Sequence, residues 1–299
     1  NQSAIFLDDV EVARDLKIAM QLFNPEYTID KESVAVSGRL QNLSNVTYND
    51  LKLSLIDEDG NVVDEINATG LNLAPKGLYP FTFAKELPLR SGLENNFRVE
   101  LSGDDVTTSA GSSVKNLLFR TTKRVVLEEN TGTSCQFCPQ GHVVMEKLEA
   151  EFGDRFVPIA IHGYTGGSTF ATSESQSYST FLGLSAAPSA VIDRTYAAMP
   201  MGEGYHMITP EGGLWYDLVT SQMNKYADAD ITVSSSGVDE TESNVVVNAT
   251  VKYAYNAKNL NVNILTAVLE DKLPSAQTNA FVNSDAEEMA DWRAGGKYG

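Results

Sequence analysis

Between Lys17 and Ser102 the apolar residues return at every second position: Val34 and Val36; Leu51, Leu53 and Leu55; Phe81 and Phe83; Phe97, Val99 and Leu101. Successive side chains of an extended chain point to opposite faces, so a period of two demands strands with one buried and one wetted face. Turn chemistry separates these runs. In Asp57-Glu58-Asp59-Gly60-Asn61 the glycine can take the positive φ of a hairpin connection. This acidic loop lacks the bidentate glutamate at the twelfth position and the flanking helices of a calcium loop, so it reads as a turn. Residues 1–118 are expected to form a small immunoglobulin-like β-sandwich.

A different grammar follows. Gly103 to Ser113 is small and polar without periodicity, and is expected to be a linker or exposed loop. Val125-Val126-Leu127 is a continuous apolar run of the kind buried on both faces in a parallel or mixed sheet. A helical pattern then carries Val143, Val144, Leu148 and Phe152 and ends at Gly153. Phe156 to Ile161 reads as a second buried strand, Tyr178, Phe181 and Leu182 as a short helix, and Ala190 to Ile192 as a third strand. Residues 119–228 therefore predict an α/β domain. Thr209-Pro210-Glu211 offers an N-cap with proline at the first helical position, ahead of a helix with Trp215, Leu218, Val219, Met223 and Tyr226 on one face. Period two returns in Ile231 and Val233, Val245 and Val247, and Val262, Ile264 and Val268. Residues 229–299 are expected to be a C-terminal β-rich module, with a short helix over Asp285 to Trp292 and no closing strand, hence incomplete. The expected class is multidomain: an all-β sandwich, an α/β domain and a β-rich module.

Composition narrows the partners. Hydrophobic residues are 42% and charged residues 21%, ordinary globular values, so neither disorder nor a fibrous repeat is needed. Twenty-two Lys and Arg against 40 Asp and Glu leave a net charge of -18, which repels a phosphate backbone, and no basic stripe offsets it; nucleic acid is excluded as a partner. Apolar stretches such as Phe156 to Ile161 are far shorter than the roughly 20 residues that cross a bilayer. No basic and apolar leader opens the chain, so any export signal or lipid anchor is expected outside it.

Two cysteines in 299 residues cannot make a disulfide scaffold, but Cys135-Gln136-Phe137-Cys138 is a single local unit between a buried strand and a helix expected to begin near Gln136. A thiol in the first turn of a helix faces unpaired backbone amides and the positive end of the helix dipole. Both favour its thiolate and lower its pKa below the free value of about 8.5. Cys135 is thus the candidate nucleophile. Cys138, one turn on, is placed to attack a mixed disulfide.

These residues resemble the thioredoxin-fold superfamily. Glu129 stands six residues before Cys135, where thioredoxins carry a buried acid that relays protons to the resolving thiol. Ala187-Pro188-Ser189 looks like the cis-proline loop that lies against the active-site disulfide, and Pro139 directly follows the second cysteine. The wider context, Val-Val-Leu-Glu-Glu-Asn-Thr-Gly-x-x-Cys-x-x-Cys-Pro-x-Gly with the later Ala-Ile-His and Ala-Pro-Ser-x-x-Ile-Asp-Arg, resembles the outer membrane protein 28-related lipoproteins of Bacteroidetes-type bacteria. The motifs cover Lys123 to Tyr226, and Ser134 stands where that family often has an aromatic residue. The resemblance implies a thioredoxin-like central domain in an exported, lipid-anchored protein of the cell envelope, associated with the outer membrane. It points to the same Cys135 and Cys138, adds Glu129 and Pro188 as site residues, and implies protein thiols or disulfides as partners; no cofactor is expected.

Two other readings compete. The sandwich can serve as a surface binding or adhesion module for a protein or glycan ligand, with the cysteine pair a static disulfide. A copper or zinc carrier is the third: Cys135, Cys138, His142 and His162 supply zinc-type ligands, and Met199, Met201, His206 and Met207 supply soft ligands for Cu(I).

Overall fold

A computed structural model describes residues 16–103, 105–164, 166–194, 196–198, 214–235, 246–256, 263–271 and 273–298. The protein is mostly β. Its contacts divide it into two compact units, residues 1–120 with 228–260 and residues 121–227 with 261–299. The stretch expected as a third module, 229–299, is shared between these two units.

The N-terminal segment of the first unit holds β1 (Ile18–Phe23), β2 (Tyr27–Ile29), β3 (Ser33–Val34), β4 (Ser37–Asn42), β5 (Leu51–Asp57), β6 (Val62–Ala68), β7 (Leu78–Thr82), β8 (Leu87–Pro88), β9 (Glu94–Gly103) and β10 (Val106–Leu117). They form a three-stranded sheet, β1-β4-β7, a five-stranded sheet, β2-β10-β9-β5-β6, and a short β3-β8 pair. The inward residues of the two larger sheets, Ile18, Leu40 and Phe81 on one and Leu53, Leu55, Val99, Leu101 and Val114 on the other, share one core with Tyr48. The period-two reading of the sequence is this core seen edge-on. Asp57-Asn61 is the β5–β6 hairpin turn, with Gly60 at φ +86° and the Asp57 carboxylate accepting from the Asp59 and Asn61 amides.

The expected linker is a correction. Gly103 to Ser113 contains a hairpin turn and the first half of β10, which pairs with β9 from Val106↔Gly103 to Lys115↔Glu94. Its serines and threonines carry no periodicity because much of that half of β10 is only partly buried. Its place comes from the ladder with β9, a tertiary constraint that overrides weak local preference.

The second unit holds β11 (Val125–Asn130), α1 (Pro139–Phe152), β12 (Phe156–Ile161), α2 (Ser173–Phe181), β13 (Ser189–Ile192), β14 (Tyr196–Ala198) and α3 (Leu214–Met223). The sheet order is β12-β11-β13-β14, with β11 and β12 parallel and β13 antiparallel to β11. Val125 and Leu127 pack with Val144, Leu148, Ile192, Trp215 and Val219, so one face of β11 is covered by α1 and α3. The expected N-cap at Thr209 lies outside the described residues.

β15 (Ala229–Ser235) and β16 (Val247–Tyr253) form an antiparallel ribbon in the first unit. The described residues 263–271 form no strand, so the expected run through Ile264 and Val268 is corrected to an exposed stretch of the second unit without regular secondary structure. Period two alone does not supply a ladder partner. A 3-10 helix spans Glu287–Trp292.

Leu53 is fully buried in the sandwich core. Leu53→Ala is expected to destabilise the first unit by about 2–5 kcal/mol, read from its denaturant transition.

Candidate functional site

The loop between β11 and α1 carries both cysteines, which are bonded to each other with Cα atoms 5.4 Å apart. Tight turns lead into the helix: the Cys135 amide donates to the Gly132 carbonyl at 3.0 Å and the Cys138 amide to the Cys135 carbonyl at 3.2 Å. The helix start expected near Gln136 is corrected. α1 begins at Pro139, with Cys138 at its N-cap. Proline has no N–H to donate and its preset φ suits the first helical position, so it draws the helix start to itself. Pro139 brings no amide to the first turn and the Gln140 amide donates to the Phe137 carbonyl at 3.1 Å, so Cys138 stands at the helix entrance and Cys135 in the turn before it. Cys135 is 4% exposed and Cys138 is 0% exposed, which makes Cys135 the member of the pair that solvent touches.

Glu128 and Glu129 are adjacent on β11 and both are buried, on opposite faces. Glu129 shares its face with Leu127 and lies under α1. A Cβ built on Gly141 would come within 2.2 Å of Glu129 Oε1 and 3.2 Å of the Trp215 ring, so the helix turn after Cys138 needs glycine there. Neither carboxylate oxygen of Glu129 has a hydrogen-bond partner among the described residues. Burial pushes its carboxyl well above the usual carboxylate range. Glu128, by contrast, is held by Arg194, with Nε at 3.1 Å and Nη2 at 3.0 Å, and accepts from the Tyr178 hydroxyl. Arg194 reaches it from a left-handed backbone conformation, φ +54°. Asp193 accepts from the Val126 amide at 3.0 Å and pairs with Lys123.

The Ala187–Pro188 peptide is cis. Ser189 pairs with Asn130 across β13 and β11, which sets Pro188 at the sheet end where the cysteine loop departs. Asn130 Nδ2 donates to the Ala186 carbonyl at 2.8 Å, and the Ser189 hydroxyl donates to the same oxygen, so the proline loop is tied to β11 one residue beyond Glu129. Asn130, Gly141, Arg194 and Tyr178 were not singled out in the sequence as site residues; only the Ile-Asp-Arg triplet signalled Arg194.

Two segments clamp the cysteine loop. On one side the Ser134 hydroxyl donates to the carbonyls of Gly166 and Gly167, and the Thr169 amide donates to Thr133 Oγ1 at 2.8 Å. On the other, the Thr278 amide donates to the Thr133 carbonyl at 2.8 Å and the Ala280 amide to the Gln136 carbonyl at 2.9 Å. Gln277 Nε2 donates to the carbonyls of Gly132 at 3.1 Å and Cys135 at 2.8 Å.

The two described histidines are engaged elsewhere. The His162 Nδ1 pairs with the Ser168 hydroxyl at 2.8 Å, and the His142 ring stacks on Trp292 with centroids 5.8 Å apart. Burial lowers both pKa values, and for His142 nearby Glu146 opposes the shift. Among the described residues no three or more His, Cys, Asp or Glu side chains are grouped to hold a metal. Met199, Met201, His206 and Met207 lie outside the described residues.

No family model matches this chain, and no curated protein does. Solved structures with local likeness include the CARDB domain of a Pyrococcus furiosus protein in complex with di-metal ions, 11% identical over 34% of this chain and 94% of that one, TM-score 0.29. A domain of a putative cell surface protein from Methanosarcina acetivorans is 18% identical over 33% of this chain and 89% of that one, TM-score 0.27. A conjugative transposon lipoprotein from Bacteroides eggerthii is 9% identical over 34% of this chain and 100% of that one, TM-score 0.22. Likeness at these scores carries no argument about fold or function. No helix among the described residues is long and apolar enough to cross a membrane.

Glu129 has a higher pKa folded than unfolded, so as pH rises the unfolded chain releases this proton first. Its contribution to stability is complete below the ordinary glutamate value and is lost as pH climbs toward the folded value, at about 1.4 kcal/mol per pH unit in that window. Glu129→Gln is expected to abolish this fall and to be the more stable protein at alkaline pH, in denaturant titrations run across the pH range. Arg194→Met leaves Glu128 buried without its cation and is expected to cost about 1–3 kcal/mol, less than for a fully buried pair because Arg194 is partly solvated. Combining it with Glu128→Gln is expected to recover most of the loss.

Proposed function

We propose that this is a thiol–disulfide exchange protein of the cell envelope, exported and lipid-anchored at the outer membrane, with residues 121–227 forming a thioredoxin-like domain. The observation that carries the reading is the fully buried Glu129, without a hydrogen-bond partner among the described residues, lodged against α1 one turn beyond Cys138 of a disulfide-bonded cysteine pair. Leaving a carboxyl buried without a partner costs stability, and proton transfer is the chemistry that such a group serves. The strand order β12-β11-β13-β14, the helix between β11 and β12, and the cis proline opening β13 support the same assignment.

In the reducing direction the Cys135 thiolate attacks one sulfur of a partner disulfide. A mixed disulfide forms, and the partner's other sulfur leaves as a thiolate. Glu129 takes the proton of Cys138, whose sulfur attacks Cys135 and breaks the mixed disulfide. The partner leaves as a dithiol and the Cys135–Cys138 bond re-forms, so two electrons have passed from this chain to the partner. The reverse sequence oxidises a partner dithiol.

A second reading, a surface binding module with a static disulfide, is favoured by the burial of both cysteines and by a groove of about 560 Å3 on the sandwich lined by Asp57, Glu58, Arg90, Asn96 and Arg98. A bond between cysteines three apart closes so short a loop that it stabilises by only about 2 kcal/mol, a weak brace. The exchange reading is the stronger.

Cys138→Ser is expected to trap a mixed disulfide through Cys135 with a model disulfide substrate, detected by mass, and Cys135→Ser to abolish turnover. The reduced Cys135 is expected to titrate below about 8.5, and Glu129→Gln to slow turnover by about a hundredfold or more. A Cys135 pKa at or above the free-thiol value together with no exchange ends the reading.

A further inference from the structure

The clamp supplied by residues 277–281 has the form of a bound peptide. Thr278 and Ala280 donate their amides, two residues apart, to the carbonyls of Thr133 and Gln136 in the turn that carries Cys135, so main-chain bonds hold the segment along that turn as they hold a docked peptide. Their side chains face solvent, while Gln277 and Asn279 are half-buried and Phe281 is buried. Gln277 bridges the carbonyls of Gly132 and Cys135, and Phe281 meets the Phe137 ring edge-on at 6.3 Å between centroids. Anchors at the first and fifth positions, backbone bonds between them and unrestricted side chains at the second and fourth describe a recognition pattern.

The residues before this clamp do little to hold it. Described residues 263–276 have no regular secondary structure, and Ile264, Leu265, Val268 and Leu269 are exposed. The segment itself is held by the two amide bonds, by the Gln277 side chain, by Asn279 Nδ2 donating to the Trp292 carbonyl at 2.6 Å and by Phe281 packed with Met289 and Trp292, so its displacement is a local opening within the second unit.

We propose that the edge formed by residues 132–137 is a docking site for an extended polypeptide carrying a side-chain amide four residues before an aromatic residue, and that Gln277–Phe281 fills it in cis. The proposal rests on the exchange reading for its purpose, because a chain docked here lies against the backbone of Cys135. Its binding chemistry stands apart from any redox step. Displacement of the cis segment by such a partner exchanges the chain's own backbone against Cys135 for the partner's.

The test uses the full chain in its disulfide form and a dye-labelled synthetic peptide with the sequence of residues 275–283. Thr278→Pro with Ala280→Pro removes the two donated N–H groups. The double variant is expected to bind the peptide at least tenfold more tightly than the unmodified chain in fluorescence anisotropy. Replacing the phenylalanine of the peptide with alanine is expected to weaken binding at least tenfold, while serine at its second and fourth recognition positions leaves it unchanged. In the unmodified chain, millimolar peptide is expected to speed hydrogen exchange at the Thr278 and Ala280 amides, a readout that needs no variant to fold. No binding to a folded double variant, or unchanged exchange at both amides, overturns the proposal. A separate assay with a model disulfide tells the two readings apart. Binding without turnover keeps the docking edge and removes the exchange function; turnover without binding does the opposite.

Discussion

Strand β11 is walled by protein on both faces, and the candidate site hangs from it. Alternate residues of a strand point in opposite directions, so a pair of adjacent glutamates in such a strand sends one carboxylate into each side of the domain. Each side has answered differently. Toward α2 and the β13–β14 turn, Glu128 meets Arg194 and Tyr178 and becomes a charged, saturated network. Toward α1, Glu129 meets the bare backbone of Gly141 and has no hydrogen-bond partner among the described residues. Paired burial is structural; unpaired burial raises the carboxyl's pKa because the charged form loses its water.

Proline sets the other half of the geometry. Pro139 draws the start of α1 past the first cysteine, so Cys138 sits at the helix entrance and Cys135 in the turn before it. Both cysteines are buried, Cys135 at 4% exposure and Cys138 at 0%. Pro188 marks the end of the sheet where this loop departs, tied to β11 through Asn130. The site is therefore framed by β11, the entrance of α1 and the start of β13, with the turns 166–169 and 277–281 gripping the loop from either side.

Much of this was legible in local pattern. The alternation through Leu51, Leu53 and Leu55 marked a half-buried strand, and the unbroken Val125-Val126-Leu127 marked one buried on both sides, because burial and backbone period act residue by residue. Gly103 to Ser113 was misread as a linker: serine and threonine at exposed strand positions carry no alternation, and the partner strand β9 supplies the order. Ile264 and Val268 failed the other way, since alternation without an available ladder partner leaves a chain without regular secondary structure. Nothing local showed that Gln277, some 140 positions beyond Cys135, would bond to its carbonyl.

The sequence by itself determined the strand and helix runs, the Cys-x-x-Cys unit at a strand-to-helix junction, the acidic pair beside it and the proline that opens the third strand of that domain. These follow from periodicity, from the missing N–H of proline and from the reach of two cysteines three positions apart. Only the tertiary structure decided which glutamate has a cation and which has none, which cysteine keeps contact with solvent, and which distant segment lies along the cysteine loop. Those outcomes depend on what packs across a strand, a quantity set by residues far away in the chain.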